Sequence, residues 1–173
     1  MSEAMEDSSM RVLVISDTHI PTRLSALDER LVGRIKRADV VIHCGDFVND
    51  DTYFYIESMA KEFFGVLGNM DHDTLSFLPV KRVLEFENVK IGVIHGWGDP
   101  FTLPRRVMAE FGDDVDVVLF GHSHFPMCER RKGIFLLNPG SVSGNIPPHR
   151  PSIGLLKITG RDVIGEIIYK PDW

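Results

Sequence analysis

The chain has 173 residues, of which 43% are hydrophobic and 25% charged, a size and composition that suit one soluble globular domain. Its formal charge of -6, from 25 acids against 19 Lys and Arg, excludes broad binding to a nucleic-acid backbone, which needs a basic face. A small anionic substrate stays open, because bound cations override the global sign locally.

Residues 1 to 10 are polar and acidic and contain no apolar segment ahead of a cleavage site, so they read as a loose tail. A single domain is expected over residues 11 to 173, since no repeat, low-complexity tract or Gly/Ser linker interrupts the pattern. Val12 to Ile15 is a first buried strand. Leu24, Leu27, Leu31 and Ile35 follow at helical spacing, with Ser25 read as the N-cap. Val40 to Ile42 is a second strand, and Asp50 to Thr52 cap a second helix that runs to about Ala60. Phe63 to Leu67 is a third strand.

Beyond it the pattern changes. Val80 to Phe86 and Val89 to Ile94 flank Glu87-Asn88 and predict a hairpin. Thr102, Pro104 and Gly112 bracket a third helix, and Val115 to Phe120 is again strand-like. Phe125 to Arg130, Ile134 to Leu137, Ser152 to Ile158 and Val163 to Tyr169 complete a strand-rich C-terminal part. Strand–helix alternation followed by meanders predicts α/β with two sheets rather than one open parallel sheet.

Five polar motifs each follow directly on an apolar strand: Asp17-Thr18-His19, Gly45-Asp46, Gly68-Asn69, His95-Gly96 and Gly121-His122-Ser123-His124. Ligands of α/β sheets bind beyond the carboxyl ends of strands, so these groups are expected to converge on one crevice. Glycines beside them permit sharp turns and keep a Cβ out of a crowded site. Four imidazoles, two carboxylates and one amide form a mixed N/O donor set without thiolate. Seven such groups exceed one tetrahedral ion and suit two ions sharing a carboxylate. Alone, Gly45-Asp46 and Gly68-Asn69 are ordinary turn dipeptides, and Asp17-x-His19 is a common accident. The five blocks in order carry the reading.

These blocks resemble those of the calcineurin-like metallophosphoesterase superfamily, and most closely its small, undecorated YfcE-type phosphodiesterase branch. The match runs from about Arg11 to about Lys170 and includes Asn138-Pro139-Gly140-Ser141. The resemblance implies a four-layer α/β/β/α sandwich of two mixed sheets flanked by helices. It implies that Asp17, His19, Asp46 and His124 hold one metal, and that Asp46, Asn69, His95 and His122 hold a second, with Asp46 as bridge. The reaction implied is hydrolysis of a phosphodiester by a hydroxide shared between two divalent ions, with Asn69 and His95 also orienting the phosphate. Manganese is the expected metal; Fe, Ni, Co or Zn also tolerate the donor set. Met70 stands where the Ser/Thr phosphatase branch has a histidine that assists the leaving group.

Other residues carry weaker expectations. His72 is the nearest spare histidine to the Asn69 loop, and Asp71 is a candidate acceptor behind the ligands. His43 is expected to pack at a strand end and His149 to lie in a surface loop. Arg23 is read as a helix-start arginine that could meet an anionic substrate. Cys44 and Cys128 make no disulfide framework and read as reduced small hydrophobes, which with the absence of a signal segment predicts a cytoplasmic setting. No run approaches a membrane span.

The expected partner is a small phosphoester, with no membrane and no strong binding to nucleic-acid polymer. Pairing of C-terminal strand edges would give a homo-oligomer. The alternatives are a non-catalytic scaffold like the retromer subunit built on this fold, a phosphomonoesterase or nucleotide pyrophosphatase using the same site, and a nuclease.

Overall fold

The computed structural model describes residues 8–144 and 150–173; His149 lies outside them. Among the described residues ten strands form two five-stranded mixed sheets, ordered β10-β9-β1-β2-β3 and β4-β5-β6-β8-β7. In the first, β1 (Met10–Ile15), β2 (Val40–His43) and β3 (Phe63–Gly65) run parallel, while β9 (Ser152–Thr159) and β10 (Asp162–Tyr169) add antiparallel. In the second, β5 (Val89–Ile94), β6 (Val117–Phe120) and β8 (Ile134–Asn138) are parallel. There β4 (Lys81–Phe86) and β7 (Met127–Arg131) form antiparallel edges.

The period-2 alternation of the strands builds the layers. Val12 and Val14 of β1 join Ile91, Val93, Val117 and Leu119 of the other sheet in a core between the sheets. Their neighbours Leu13 and Ile15 face outward, where they pack with Leu31 and Ile35 of α1 (Glu29–Arg37) and Ile56 of α2 (Asp50–Met59). Ile94, Val118 and Phe120 meet Leu103, Val107 and Phe111 of α3 (Leu103–Phe111) on the far side. Both faces of both sheets are therefore covered, which is why the parallel strands read as continuous apolar runs. This is the four-layer α/β/β/α sandwich.

Several boundaries differ from the sequence reading. The first helix begins at Glu29, and its N-cap is Asp28, whose side chain accepts from Arg30 N–H at 2.9 Å, rather than Ser25. Leu24 and Leu27 still pack against the same core from the loop before it. Asn49 caps α2, accepting from Thr52 N–H at 3.1 Å. Met10 is not tail: it opens β1 and pairs with Ile158. Thr102 and Gly112 do bracket α3, with Gly112 at φ 58°. Cys44 is buried as expected, whereas Cys128 is exposed. Among the described residues no helix is long and apolar enough to cross a membrane.

Candidate metal centre

The parallel strands place their carboxyl ends at one end of the sandwich, and backbone hydrogen bonds tie the motif loops together there. Asp17 N–H donates to Gly45 O at 3.0 Å, His19 N–H to Asp46 O at 3.2 Å, and Gly121 N–H to His95 O at 3.1 Å. Val142 N–H, after β8, donates to Ser16 O at 3.0 Å. The Gly68-Asn69 block joins them through Asn69 Oδ1, 2.9 Å from His95 Nε2, so all five motif blocks meet in one place, as their positions after strands predict.

The backbone there is unusual. Asp17, His19, Asp46, His122 and His124 have φ of 55°, 48°, 62°, 65° and 60°. Each left-handed non-glycine residue costs about 1–3 kcal/mol and persists only where the surroundings impose it. The tightness is also visible at two glycines. A Cβ on Gly68 would lie 2.2 Å from Asp46 Oδ1, and one on Gly121 would lie 2.1 Å from Ser16 Oγ. Only glycine lets these loops approach the carboxylates so closely.

Asp17, His19, Asp46 and His95 are buried, while Asn69 is exposed and His122 and His124 are half-buried. Asp17 Oδ1 lies 3.0 Å from His124 Nε2 and 3.6 Å from His19 Nε2, and Asp46 Oδ2 lies 3.6 Å from His19 Nε2 and 3.4 Å from His95 Nε2. Yet Asp17 Oδ1 and His19 Nε2 are buried atoms without a hydrogen-bond partner. Such orphans are costly unless something else satisfies them. Asp17, His19 and His124 offer ligand atoms within 4.8 Å of one another, and so do Asp17, Asp46 and His95.

His95 makes the same point through its tautomer. Its Nδ1 lies 2.7 Å from Cys44 O, so Nδ1 carries a proton and donates it. Its Nε2 lone pair then faces Asn69 Oδ1 at 2.9 Å and Asp46 Oδ2 at 3.4 Å. Two oxygens facing a lone pair need a positive species between them, a proton or a cation. Without a cation, burial opposes protonation of His95, but Asp46 and Asp17 outweigh it and raise its pKa to about 9. At Asp17, burial pushes upward, and the imidazoles of His124 and His19 outweigh it and hold the carboxyl far below its usual range. The donor set therefore fits divalent cations. Asn69 Oδ1 also meets His122 Nδ1 at 3.0 Å, which brings the amide and both of those imidazoles together. His122 is anchored by Gly98 O at 3.2 Å, and burial lowers its pKa.

The frame behind these side chains was only partly foreseen. Asp71 is an acceptor behind the ligands, and what it accepts is backbone N–H, that of Asp46 included. Its Oδ2 takes Gly68 N–H at 2.7 Å and Asp46 N–H at 3.2 Å, and its Oδ1 takes Val48 N–H at 2.8 Å. Asp46 Oδ1 in turn accepts from Met70 N–H at 2.8 Å. Asn138 Nδ2 donates to Gly121 O at 2.9 Å, and Ser141 Oγ and Ser143 Oγ donate to Asp17 O at 3.1 and 2.9 Å. The Asn138-Pro139-Gly140-Ser141 match hinted at this brace; nothing in the spacing singled out Ser143. His43 is fully buried and stacks on Phe47 at 3.6 Å between centroids. It accepts Gly45 N–H at Nδ1, so Nε2 donates to Thr18 Oγ1 at 3.2 Å. Arg23 is not in a helix: its Nη1 lies 3.4 Å from His124 Nδ1 at the rim of the site. His72 is exposed.

The profile of the calcineurin-like phosphoesterase superfamily domain matches residues 10–161. The chain belongs to this superfamily. It is 36% identical over 159 residues to a probable metallophosphoesterase of Methanocaldococcus jannaschii, covering 89% of this chain and 78% of that protein. The crystal structure of Vps29 from Chaetomium thermophilum superposes with a TM-score of 0.77 at 26% identity, over 94% of this chain and all of that one. Wild-type Vps29 from Entamoeba histolytica, complexed with zinc, gives 0.73 at 29% identity, over 92% of this chain and 99% of that one. The superfamily and the clustered donor groups together make this a metal-binding phosphoesterase domain.

Proposed function

We propose that the chain is a phosphodiesterase whose Asp17, His19, Asp46, Asn69, His95, His122 and His124 hold two divalent cations, with manganese the first candidate. The observation that carries this reading is the pair of orphaned buried atoms, Asp17 Oδ1 and His19 Nε2, turned toward a second carboxylate. Asp46 Oδ2 lies within 3.6 Å of His19 Nε2 and 3.4 Å of His95 Nε2, which supports its role as the shared ligand. When bound, the cations supply Lewis acidity at the phosphoryl oxygens and draw a nucleophile from water near neutral pH.

The protein supplies position and protons. Cys44 O holds the His95 proton on Nδ1 and so keeps Nε2 free to ligate. Asn69 is exposed beside both His95 and His122, where its amide can orient a phosphate. Met70 offers no proton to a leaving oxygen. That favours diesters with good leaving groups over monoesters whose departure relies on an imidazolium.

Bis(p-nitrophenyl) phosphate tests the reading. Added Mn²⁺ should support turnover, a chelator should stop it, and Asp46→Ala should abolish it with the fold intact. Wild-type turnover in Asp46→Ala would end the assignment. A monoester, a cyclic nucleotide and a dinucleotide assayed in parallel decide between the diesterase and a phosphomonoesterase or pyrophosphatase. The likeness to the Vps29 structures favours a second reading, a non-catalytic scaffold. That reading expects no turnover with any added metal.

A further inference from the structure

Beside the metal centre lies a niche of about 260 Å³ walled by Leu67, Val80, Ile94 and Trp97. Asn69 and His95 line it too, so it adjoins the side chains expected to bind metal and phosphate. Its volume is below that of pockets that enclose a whole drug-sized ligand, and suits a single ring system. Its walls are apolar, and two of them are open to solvent: Val80 is 64% and Trp97 is 45% exposed.

The loop that carries Trp97 is held in place. Arg106 Nε donates to Trp97 O at 3.1 Å and Arg106 Nη2 to Asp99 O at 2.8 Å, with a further bond from Nη1 to Thr102 Oγ1. The Arg106 guanidinium also lies 5.9 Å from the Trp97 ring centroid. Gly98 O of the same loop meets His122 Nε2 at 3.2 Å. An aromatic left half in water on an anchored loop is a preformed stacking surface, since little conformational freedom is lost when a flat ring covers it. Phe101, 91% exposed, extends the apolar character of this loop.

We infer that the site selects phosphoesters carrying a flat aromatic group, such as a nucleobase or an aryl ring, which seats against Trp97 and Val80 while the phosphate reaches Asn69 and His95. This rests on the phosphodiesterase reading. The niche gives the substrate a direction: ring on the Trp97 side, phosphate over the imidazoles. Ring stacking of this kind is worth enough to shift affinity about tenfold.

Phenylphosphonate and methylphosphonate test it, because they share one anionic head, differ by the ring, and cannot be hydrolysed at the P–C bond. Calorimetric titration of the Mn²⁺-loaded protein should show phenylphosphonate binding about tenfold tighter. The chain has two tryptophans, and Trp173 is buried. Emission from Trp97 should therefore change with the phenyl ligand alone. Trp97→Ala should bring the two affinities together without altering Mn²⁺ uptake or methylphosphonate binding. Trp97→Phe should restore most of the preference, and Val80→Ser should narrow it. Equal binding of both ligands by the wild type, or a preference that survives Trp97→Ala, overturns the inference even if the diester is hydrolysed. Failure to take up any of Mn²⁺, Fe²⁺, Co²⁺, Ni²⁺ or Zn²⁺ removes the metal centre and this inference together.

Discussion

Asp71 is placed to act on the expected metal ligands through backbone groups alone. Burial pushes its carboxyl pKa up, and the N–H groups of Val48 and Gly68 pull against that. The carboxylate spans two loops, pinning Gly68 and Asp46 to the same place. Asp71→Ala leaves those donors unmet and lets Asp46 drift. Mn²⁺ affinity should fall about 10–100-fold, as for other residues that orient metal ligands, while Asp71→Asn keeps part of it. Unchanged affinity in the alanine variant would show that the loops hold themselves. His43 bears on stability rather than on binding. Burial lowers its pKa from 6.5 to about 3, so between those values the unfolded chain takes up a proton that the folded chain refuses. Stability must then fall as the pH drops below about 6.5, by about 1 kcal/mol per pH unit for one such group. Urea titrations of chelator-treated protein should show this slope, and His43→Gln should flatten it. Burial lowers the pKa of His122 as well, so some slope remains in that variant; an identical slope would mean that His43 takes no part.

At the scale of elements, the start of α1 separates what sequence pattern can and cannot give. Ser25 and Asp28 are both good N-cap residues, and the leucine spacing runs through both. Tertiary contacts decide between them. Asp28 also pairs with Lys170 at 3.0 Å, and Arg30 reaches Pro171 O at 2.7 Å, so the C-terminal segment fixes the helix start. Asp28→Ala should lower stability by about 1 kcal/mol, a melting shift of a few degrees, whereas Ser25→Ala should be silent. Equal effects would place the helix start earlier. The strands were easier to read, because burial on both faces leaves runs such as Val40 to Ile42 with no polar break. Their ends pointed to the candidate site: each candidate ligand block follows a strand, so chain order alone picked out the seven candidate donors. What the order could not give was the frame. Asp71 and Ser143 work through backbone groups, and a backbone partner leaves no mark on residue spacing. The Trp97 niche was equally hidden, since it exists only where the ends of β3 and β5 come together.

Across the whole molecule, the metal centre is a local cost that the two-sheet core sustains. Asp17 and Asp46 are both buried within reach of His19, and five of the expected ligands sit in left-handed backbone. Cations that bind this folded arrangement and not the unfolded chain return stability by mass action, about 2.7 kcal/mol for one site at a hundred times its Kd. In a protein of this size such a gain raises the melting temperature by about 5–10 °C. Asp46→Asn separates the cost from the return. It keeps an acceptor for Met70 N–H and removes one of the two like charges. It also removes the carboxylate that faces protonated His95 in the metal-free protein, so the two charge effects oppose each other and in chelator the variant should melt close to the wild-type temperature. On adding Mn²⁺ the wild type should climb and the variant should stay put, because the shared ligand has gone. Differential scanning fluorimetry reads both arms. A variant that melts well below wild type in chelator would mean that Asp46 serves the fold itself, and a variant that still climbs with Mn²⁺ would mean that the cations sit elsewhere.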